Sequence, residues 1–131
     1  YDASLKIFKE YPLFGVANKN FRHECHNKKY FDEKIKLSNL RCNTHPHQIH
    51  FELLSEHGII GYVFFFIMMF TGLKKIYHNY IATKNIFYLS SLLYLIIFLI
   101  PALPSGSFFS TFNGTLFWII FSIGNAKNSF R

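Results

Sequence analysis

Acidic residues are missing from the second half of the chain. All seven Asp and Glu residues lie within positions 1–57, and no Asp, Glu, Lys, Arg or His occurs between Asn85 and Ala126. A soluble domain of 131 residues has too little interior to hide an uncharged segment of that length. The absence therefore argues against a soluble fold and indicates that a lipid bilayer surrounds this part of the chain.

Cysteine is scarce, and Cys25 and Cys42 are the two that occur. A disulfide between them is one alternative, and closing that loop stabilises a fold by about 3 kcal/mol. Two free thiols are the second alternative. A zinc site with His23, His26 or His45 is the third, although the paired short spacings typical of zinc ligands are not both present. The sequence leaves the three alternatives open.

Three membrane-spanning helices are predicted from the apolar segments. A helix needs roughly 17 to 25 apolar residues to cross the hydrocarbon core. The segments cover about 58–73, 86–103 and 108–124, and the first is short unless its helix begins outside the hydrocarbon. Prolines and a glycine separate the last two segments, at Pro101, Pro104 and Gly106. We therefore predict an all-α membrane protein with an external segment at positions 1–57.

Basic residues give these helices an orientation. Five of them flank the predicted spans on one side, namely Lys74, Lys75 and Lys84 in the first connection and Lys127 and Arg131 in the tail. The positive-inside rule places both segments in the cytoplasm. Positions 1–57 and 104–107 then lie on the opposite side, and longer translocated segments such as the first are largely exempt from the charge rule.

The external segment is predicted to begin with a helix at positions 1–10, which Pro12 ends because the residue before a proline avoids helical geometry. An apolar turn at 13–16 follows, and one further helical turn is predicted near 33–40. Because the chain starts within a helical pattern, we expect it to be the C-terminal piece of a larger multispanning protein.

Four histidines and two carboxylates crowd the sequence just before the first apolar segment, at positions 45–57. Thr44 is a plausible N-cap and Pro46 a plausible first residue of a helix, where a missing N–H does no harm. One face of that helix is predicted to carry His47, His50, Leu54 and His57. Imidazoles there are suited to accept a proton near neutral pH, and the alternative is that they are solvated interfacial side chains.

The pattern His47-Gln48, nine residues, Gly58, two residues, Gly61 resembles the signature of the O-antigen ligase and polymerase family. Positions 11–16 followed by Asn20 and Phe21 are similar to the family's proline–leucine–glycine segment, although its second glycine is replaced here. The resemblance covers roughly positions 3–73, and the two remaining spans agree in number with the family's C-terminal end.

The resemblance implies part of a polytopic inner-membrane glycosyltransferase of GT-C-like helical build, with positions 1–57 in the periplasm. Such enzymes move a glycan from an undecaprenyl-diphosphate carrier to a hydroxyl, without a cofactor. The implied partners are that carrier, a lipid A core acceptor and membrane lipids, with no nucleic acid. Polymerisation of repeat units and protein glycosylation are alternatives within the family. A non-catalytic membrane protein with a metal-binding His/Cys loop is the alternative from another class.

The resemblance also assigns roles to residues. His47 matches the family's histidine and is implied as the base that deprotonates the attacking hydroxyl. Substrate-lining roles are implied for Gln48, His45 and His50. Arginines suit a leaving diphosphate because their planar fork stays charged, but Arg22 and Arg41 do not match the family's arginine positions, so only electrostatic assistance is expected from them. Since those arginines belong to earlier segments, we expect this piece to be inactive alone.

Two further features of the motif have simpler explanations. Gly58 and Gly61 are predicted to let another helix pack closely, with admission of a lipid chain as the alternative. Glu52 and Glu56 are the acids nearest to His47, but at 100° per residue Glu52 is turned about 140° away from it. No metal ligand is therefore predicted.

Overall fold

The computed structural model describes residues 1–31, 42–101 and 103–126, which form helices, turns and loops with no β-strand. The helices are α1 (Asp2–Glu10), α2 (Phe21–Glu24), a short 3-10 helix (Lys28–Tyr30), α3 (Ile49–Thr83), α4 (Ile86–Phe98) and α5 (Thr111–Asn125). The predicted all-α class is confirmed for these residues. The helical turn predicted near 33–40, Arg41, Lys127 and Arg131 lie outside them.

The external segment has a small core of its own. Helix α1 forms where the sequence predicts it, and one face of it is buried while Pro12 follows its end. The core contains Ala3, Ile7, Phe21, Cys25 and Tyr30. A disulfide joins Cys25 to Cys42 and selects one of the three alternatives that the sequence leaves open for these cysteines.

Helix α3 begins three residues later than the sequence predicts. Gln48, not Thr44, is the N-cap, and its side-chain oxygen accepts hydrogen bonds from the backbone N–H groups of His50 (2.8 Å) and Phe51 (3.1 Å). Those bonds satisfy two donors that have no partner within the helix, so the helix starts directly after Gln48. His47 lies before it with a left-handed backbone (φ +58°), so the predicted helical face of histidines is wrong for this residue.

Gly58 divides α3 into two parts, 49–57 and 59–83, because its backbone is not helical (φ +63°, ψ −168°). The turn formed by residues 11–17, which we call the Gly15 turn, fills this break. Val16 and Ala17 donate backbone hydrogen bonds to the carbonyls of Ser55 (3.0 Å) and Glu56 (2.9 Å). In the other direction, the backbone N–H groups of residues 59 and 60 donate to the carbonyls of residues 12 and 13. One turn therefore caps both new helix ends.

Two glycines make this contact possible. Gly15 and Gly58 both have positive φ, and a Cβ on either would overlap the backbone of the other's segment, at Glu56 and Leu13 respectively. The close approach predicted at Gly58 is thus made by a turn and not by a second helix. The two motifs that carry the family resemblance are one structural unit.

Helices α3, α4 and α5 pack around an apolar core whose buried members include Phe65, Met69, Ile76, Tyr88, Leu95, Phe108 and Phe117. Within the described residues, Ile49–Thr83 is the one helix long and apolar enough to cross a membrane, and Ile86–Phe98 is apolar but shorter. Lys74 and Lys75 lie inside α3, because the chain turns only at Lys84 (φ +55°) before Asn85 caps α4. The three spans remain a prediction.

Candidate functional site

An open cleft of about 390 Å³ lies where the external segment meets the connection between α4 and α5. We call it the basic cleft. Its lining residues are Lys19, Arg22, Thr44, His45, Gly106, Ser107, Phe109, Ser110 and Asn113. Two of these side chains are cationic, none is acidic, and most of the others have hydrogen-bonding groups. Such a lining suits an anionic ligand with oxygen atoms.

His47 stands beside the basic cleft with an exposed side chain. Its ring centroid lies 4.1 Å from that of His45, and its Nε2 lies 2.7 Å from Asn43 Nδ2. The backbone is held as well, because the His47 carbonyl accepts a hydrogen bond from Ser105 N at 2.8 Å. The structure therefore presents the predicted base on a fixed backbone with its ring open to solvent.

His45 is half-buried against the same cleft. Burial lowers the pKa of His45, and the neighbouring His47 and Arg22 lower it further because they disfavour a second positive charge. Its Nδ1 lies 3.0 Å from Thr44 Oγ1, and among the described residues its buried Nε2 has no hydrogen-bond partner. His45 is accordingly a neutral cleft-lining imidazole near pH 7.

Gln48 and His50, both predicted to line the site, instead join α3 to the connection that follows α4. Gln48 is buried, and its Nε2 donates to the carbonyl of Pro101 at 3.0 Å. His50 Nε2 lies 2.9 Å from the Leu99 carbonyl, and its Nδ1 lies 2.8 Å from the Tyr62 hydroxyl. Because a carbonyl only accepts, Nε2 carries the proton and Nδ1 accepts from Tyr62. Both ring nitrogens are therefore engaged within the protein.

Glu52 and Glu56 hold two walls of the basic cleft in place, a role that sequence reasoning missed. Each is about 1% exposed. Glu52 accepts hydrogen bonds from Ser107 Oγ (2.6 Å) and Phe108 N (2.7 Å). Glu56 accepts them from the backbone N–H groups of Lys19 (2.8 Å) and residue 21 (3.2 Å). The sequence did carry a signal for this role, because the two acids lie four residues apart among apolar residues. A carboxylate buried there needs hydrogen-bond donors.

The remaining predicted site residues have other surroundings. Arg22 is exposed, donates from Nε to the Lys19 carbonyl at 3.2 Å, and lines the basic cleft. His57 is half-buried with its ring 4.8 Å from that of Phe109. A Cβ on Gly61 would meet the His57 side chain, so space is limited there also. The histidines predicted to share one helix face therefore have different partners.

The Cys25–Cys42 disulfide bears on the zinc alternative. Potential ligand atoms of Cys25, His26 and Cys42 lie within 4.8 Å of one another. Metals bind the thiolate form of cysteine, and neither sulfur of an intact disulfide is a thiolate. With the disulfide formed, this cluster offers one imidazole to a metal ion.

Comparison with protein families assigns the first half of the chain. A family model described as O-antigen ligase matches residues 1–66, which is half of the chain. The matched segment includes the Gly15 turn, Lys19, Arg22, His47 and Gly58. No curated protein and no solved structure matches the chain.

Proposed function

Because the chain belongs to the O-antigen ligase family, we propose that it contributes the catalytic histidine to an enzyme that transfers a glycan from an undecaprenyl-diphosphate carrier to a hydroxyl of lipid A core. Members of the family are membrane proteins and glycosyltransferase-like enzymes that act on lipid-linked glycans. We also propose that the inner membrane is the location of the enzyme and that the whole enzyme has a polytopic GT-C-like architecture.

One observation carries the proposal, namely the exposed imidazole of His47 on an anchored backbone beside a cleft with two cationic side chains. In the proposed reaction the acceptor oxygen bonds to the anomeric carbon while its proton passes to His47. The bond between that carbon and the carrier's diphosphate breaks, and the diphosphate leaves with the electron pair. Lys19 and Arg22 offset its negative charge.

No metal is assigned to this step. Glu52 and Glu56 are the acids nearest to His47 in the sequence, and both already accept two hydrogen bonds from the protein. Mg²⁺ or Mn²⁺ needs carboxylate oxygens that are free to coordinate. The cationic side chains of the basic cleft supply the positive charge instead.

Contacts between distant segments support the proposed topology. The two segments predicted to be external, 1–57 and 104–107, meet through the Ser105–His47 backbone bond and the Ser107–Glu52 bond. Lys84 lies at the other end of α3. We place the first two segments in the periplasm and Lys84 in the cytoplasm.

Cysteines introduced at Asn18 and Lys84 in a disulfide-free background test this topology, because a membrane-impermeant maleimide should label only Asn18→Cys from outside. Labelling of Lys84→Cys alone would contradict it.

The proposal is tested by His47→Ala in the full-length protein. Transfer to lipid A core, followed on lipopolysaccharide gels, should fall by about 10²-fold or more because a general base is lost. His78→Ala is the matched control, since His78 is also exposed but lies in the last turns of α3. If the His47→Ala protein is present in the membrane at the normal level and still transfers glycan at the wild-type rate, His47 is not the base. A polymer ladder without attachment to lipid A core would identify the polymerase alternative.

A further inference from the structure

The side chain of Asn43 has a defined orientation toward His47. Its Oδ1 accepts a hydrogen bond from the backbone N–H of Thr44 at 2.9 Å. The amide nitrogen Nδ2 is therefore the atom that faces His47 Nε2 at 2.7 Å. An amide nitrogen only donates, so Nε2 must offer its lone pair and the ring proton must sit on Nδ1.

The disulfide fixes the position from which Asn43 makes this bond. Cys42 directly precedes Asn43, and its partner Cys25 is buried in the core of the external segment. The Cys25 sulfur also lies 3.7 Å from the carbonyl oxygen of Asn43. The covalent link therefore connects the backbone of Asn43 to a packed core, although the Asn43 side chain itself is exposed.

His47 receives a separate constraint on its other side. Its carbonyl is bonded to Ser105 N, which belongs to the connection after α4. Ser105 thus holds the His47 backbone, while the disulfide-linked Asn43 contacts the ring. An exposed imidazole without such anchors would sample several rotamers and both neutral tautomers.

We propose that Asn43 is a positioning residue that keeps His47 in the tautomer with Nε2 unprotonated, and that the Cys25–Cys42 disulfide holds Asn43 in place for this task. The inference rests on the proposed role of His47 as the base. Asn43 sets this tautomer before the acceptor binds. The acceptor hydroxyl then takes the place of the Asn43 amide and donates its own hydrogen bond to Nε2, which preserves the tautomer. Its proton then moves to Nε2 as its oxygen bonds to the anomeric carbon and the diphosphate departs with the electron pair of the broken bond.

Asn43→Asp tests the proposal most sharply, because it keeps the shape of the side chain and removes its N–H donor. A carboxylate at this place accepts a hydrogen bond from Nε2–H and so favours a protonated Nε2. With the full-length protein in lipid nanodiscs, kcat should fall about 10-fold or more while KM for the lipid-linked glycan changes little, since only the base is affected. Nitrogen-15 NMR of labelled histidine should show Nε2 of His47 unprotonated in wild type and protonated in Asn43→Asp.

Asn27→Asp is the matched control. Asn27 is exposed in the same external segment, and its Oδ1 accepts from Lys29 N, a role that an Asp oxygen fills equally well. It adds the same negative charge but should leave kcat and the His47 signals unchanged. If Asn43→Asp misfolds, Asn43→Ala supplies the second variant, and it should lower kcat with a mixture of the two tautomers.

A double-mutant cycle tests the part played by the disulfide. Replacing both cysteines by serine should lower kcat in the presence of Asn43 but add little in the Asn43→Ala background, because the two changes break the same linkage. Independent, additive losses would contradict that linkage.

The two proposals can fail separately. If His47→Ala abolishes transfer while Asn43→Asp retains the wild-type kcat and tautomer, the role of Asn43 alone is contradicted. If His47→Ala retains transfer, the proposed function itself fails.

Discussion

The two parts of α3 that meet at Gly58 bury different kinds of side chain. In 49–57 the fully buried residues include Glu52, Ser55 and Glu56, and the carboxylates bond to the backbone of distant loops. In 59–83 the buried residues are mainly apolar, and large apolar side chains such as Phe64 (69%) and Phe70 (71%) are exposed. The first part buries carboxylates and a hydroxyl beside the apolar Ile49 and Leu53, whereas the second part has an apolar exterior.

This difference matches two surroundings, water at the cleft and an apolar environment around the longer part of α3. Buried carboxylates with donors on both oxygens fix loop geometry, which a cleft facing water requires. An apolar exterior over several helical turns is what contact with lipid or with other apolar helices requires. Gly58 and the Gly15 turn separate the two parts, so that the polar part is held at one end of the apolar part.

The largest effect on this arrangement is expected from Gly58→Ala. Its Cβ would overlap the backbone at Leu13, and a side chain at φ +63° and ψ −168°, a region essentially confined to glycine, adds about 1–3 kcal/mol of strain. We expect the stability of the folded protein to fall by more than about 2 kcal/mol and the yield of monodisperse protein in detergent to drop sharply. Gly114→Ala is the control, because Gly114 has helical geometry inside α5 and its Cβ would meet one atom, the Phe108 carbonyl oxygen, at 3.0 Å. Equal yield and melting temperature for Gly58→Ala and Gly114→Ala would show that the contact between Gly58 and the Gly15 turn is not required for the fold.

A smaller but measurable effect is expected from Glu56→Ala. It leaves the N–H groups of Lys19 and Phe21 without an acceptor, and an unsatisfied buried donor costs about 1–3 kcal/mol. Glu56→Gln retains one acceptor oxygen and should lie between wild type and Glu56→Ala. Hydrogen exchange should show faster opening of residues 17–21 with α4 unchanged.

Glu10→Ala is the matched control for this prediction. Glu10 is an exposed carboxylate of the same external segment, and hydrogen bonds from Lys29 and Tyr30 lower its pKa. Its loss should hardly change the melting temperature, because exposed ion pairs are screened by solvent. If Glu10→Ala destabilises as much as Glu56→Ala, burial of the carboxylate is not what makes Glu56 important.

The smallest expected effect is a pH dependence due to His45. Its folded-state pKa lies below the ordinary value of 6.5, so the unfolded chain binds more protons between these two values. The stability contributed by neutral His45 is therefore complete above pH 6.5 and is lost as the pH falls through the folded-state pKa. The melting temperature of the external segment should fall on acidification in wild type and should fall less in His45→Gln. An identical pH profile for the two proteins would contradict this assignment.

Much of the fold could be predicted from local patterns. The helix α1 and its end before Pro12 follow from helical spacing and proline geometry. The helical class follows from the apolar segments, and the family from the His47-Gln48 and glycine spacing. The start of α3 was predicted wrongly because Thr44 and Pro46 are stronger N-terminal signals than Gln48.

Local patterns of amino acids establish where charge is absent, that the chain is helical, and which histidine the family motif marks. Contacts between distant segments establish that Gly58 breaks a helix, since the caps come from residues 12–17. They also establish that Glu52 and Glu56 bind loops, and that Cys25 pairs with Cys42. The two kinds of feature differ in the distance along the chain over which they depend. Helix formation and turns depend on neighbours a few residues apart, whereas buried hydrogen bonds and close backbone contacts depend on partners that only folding brings together.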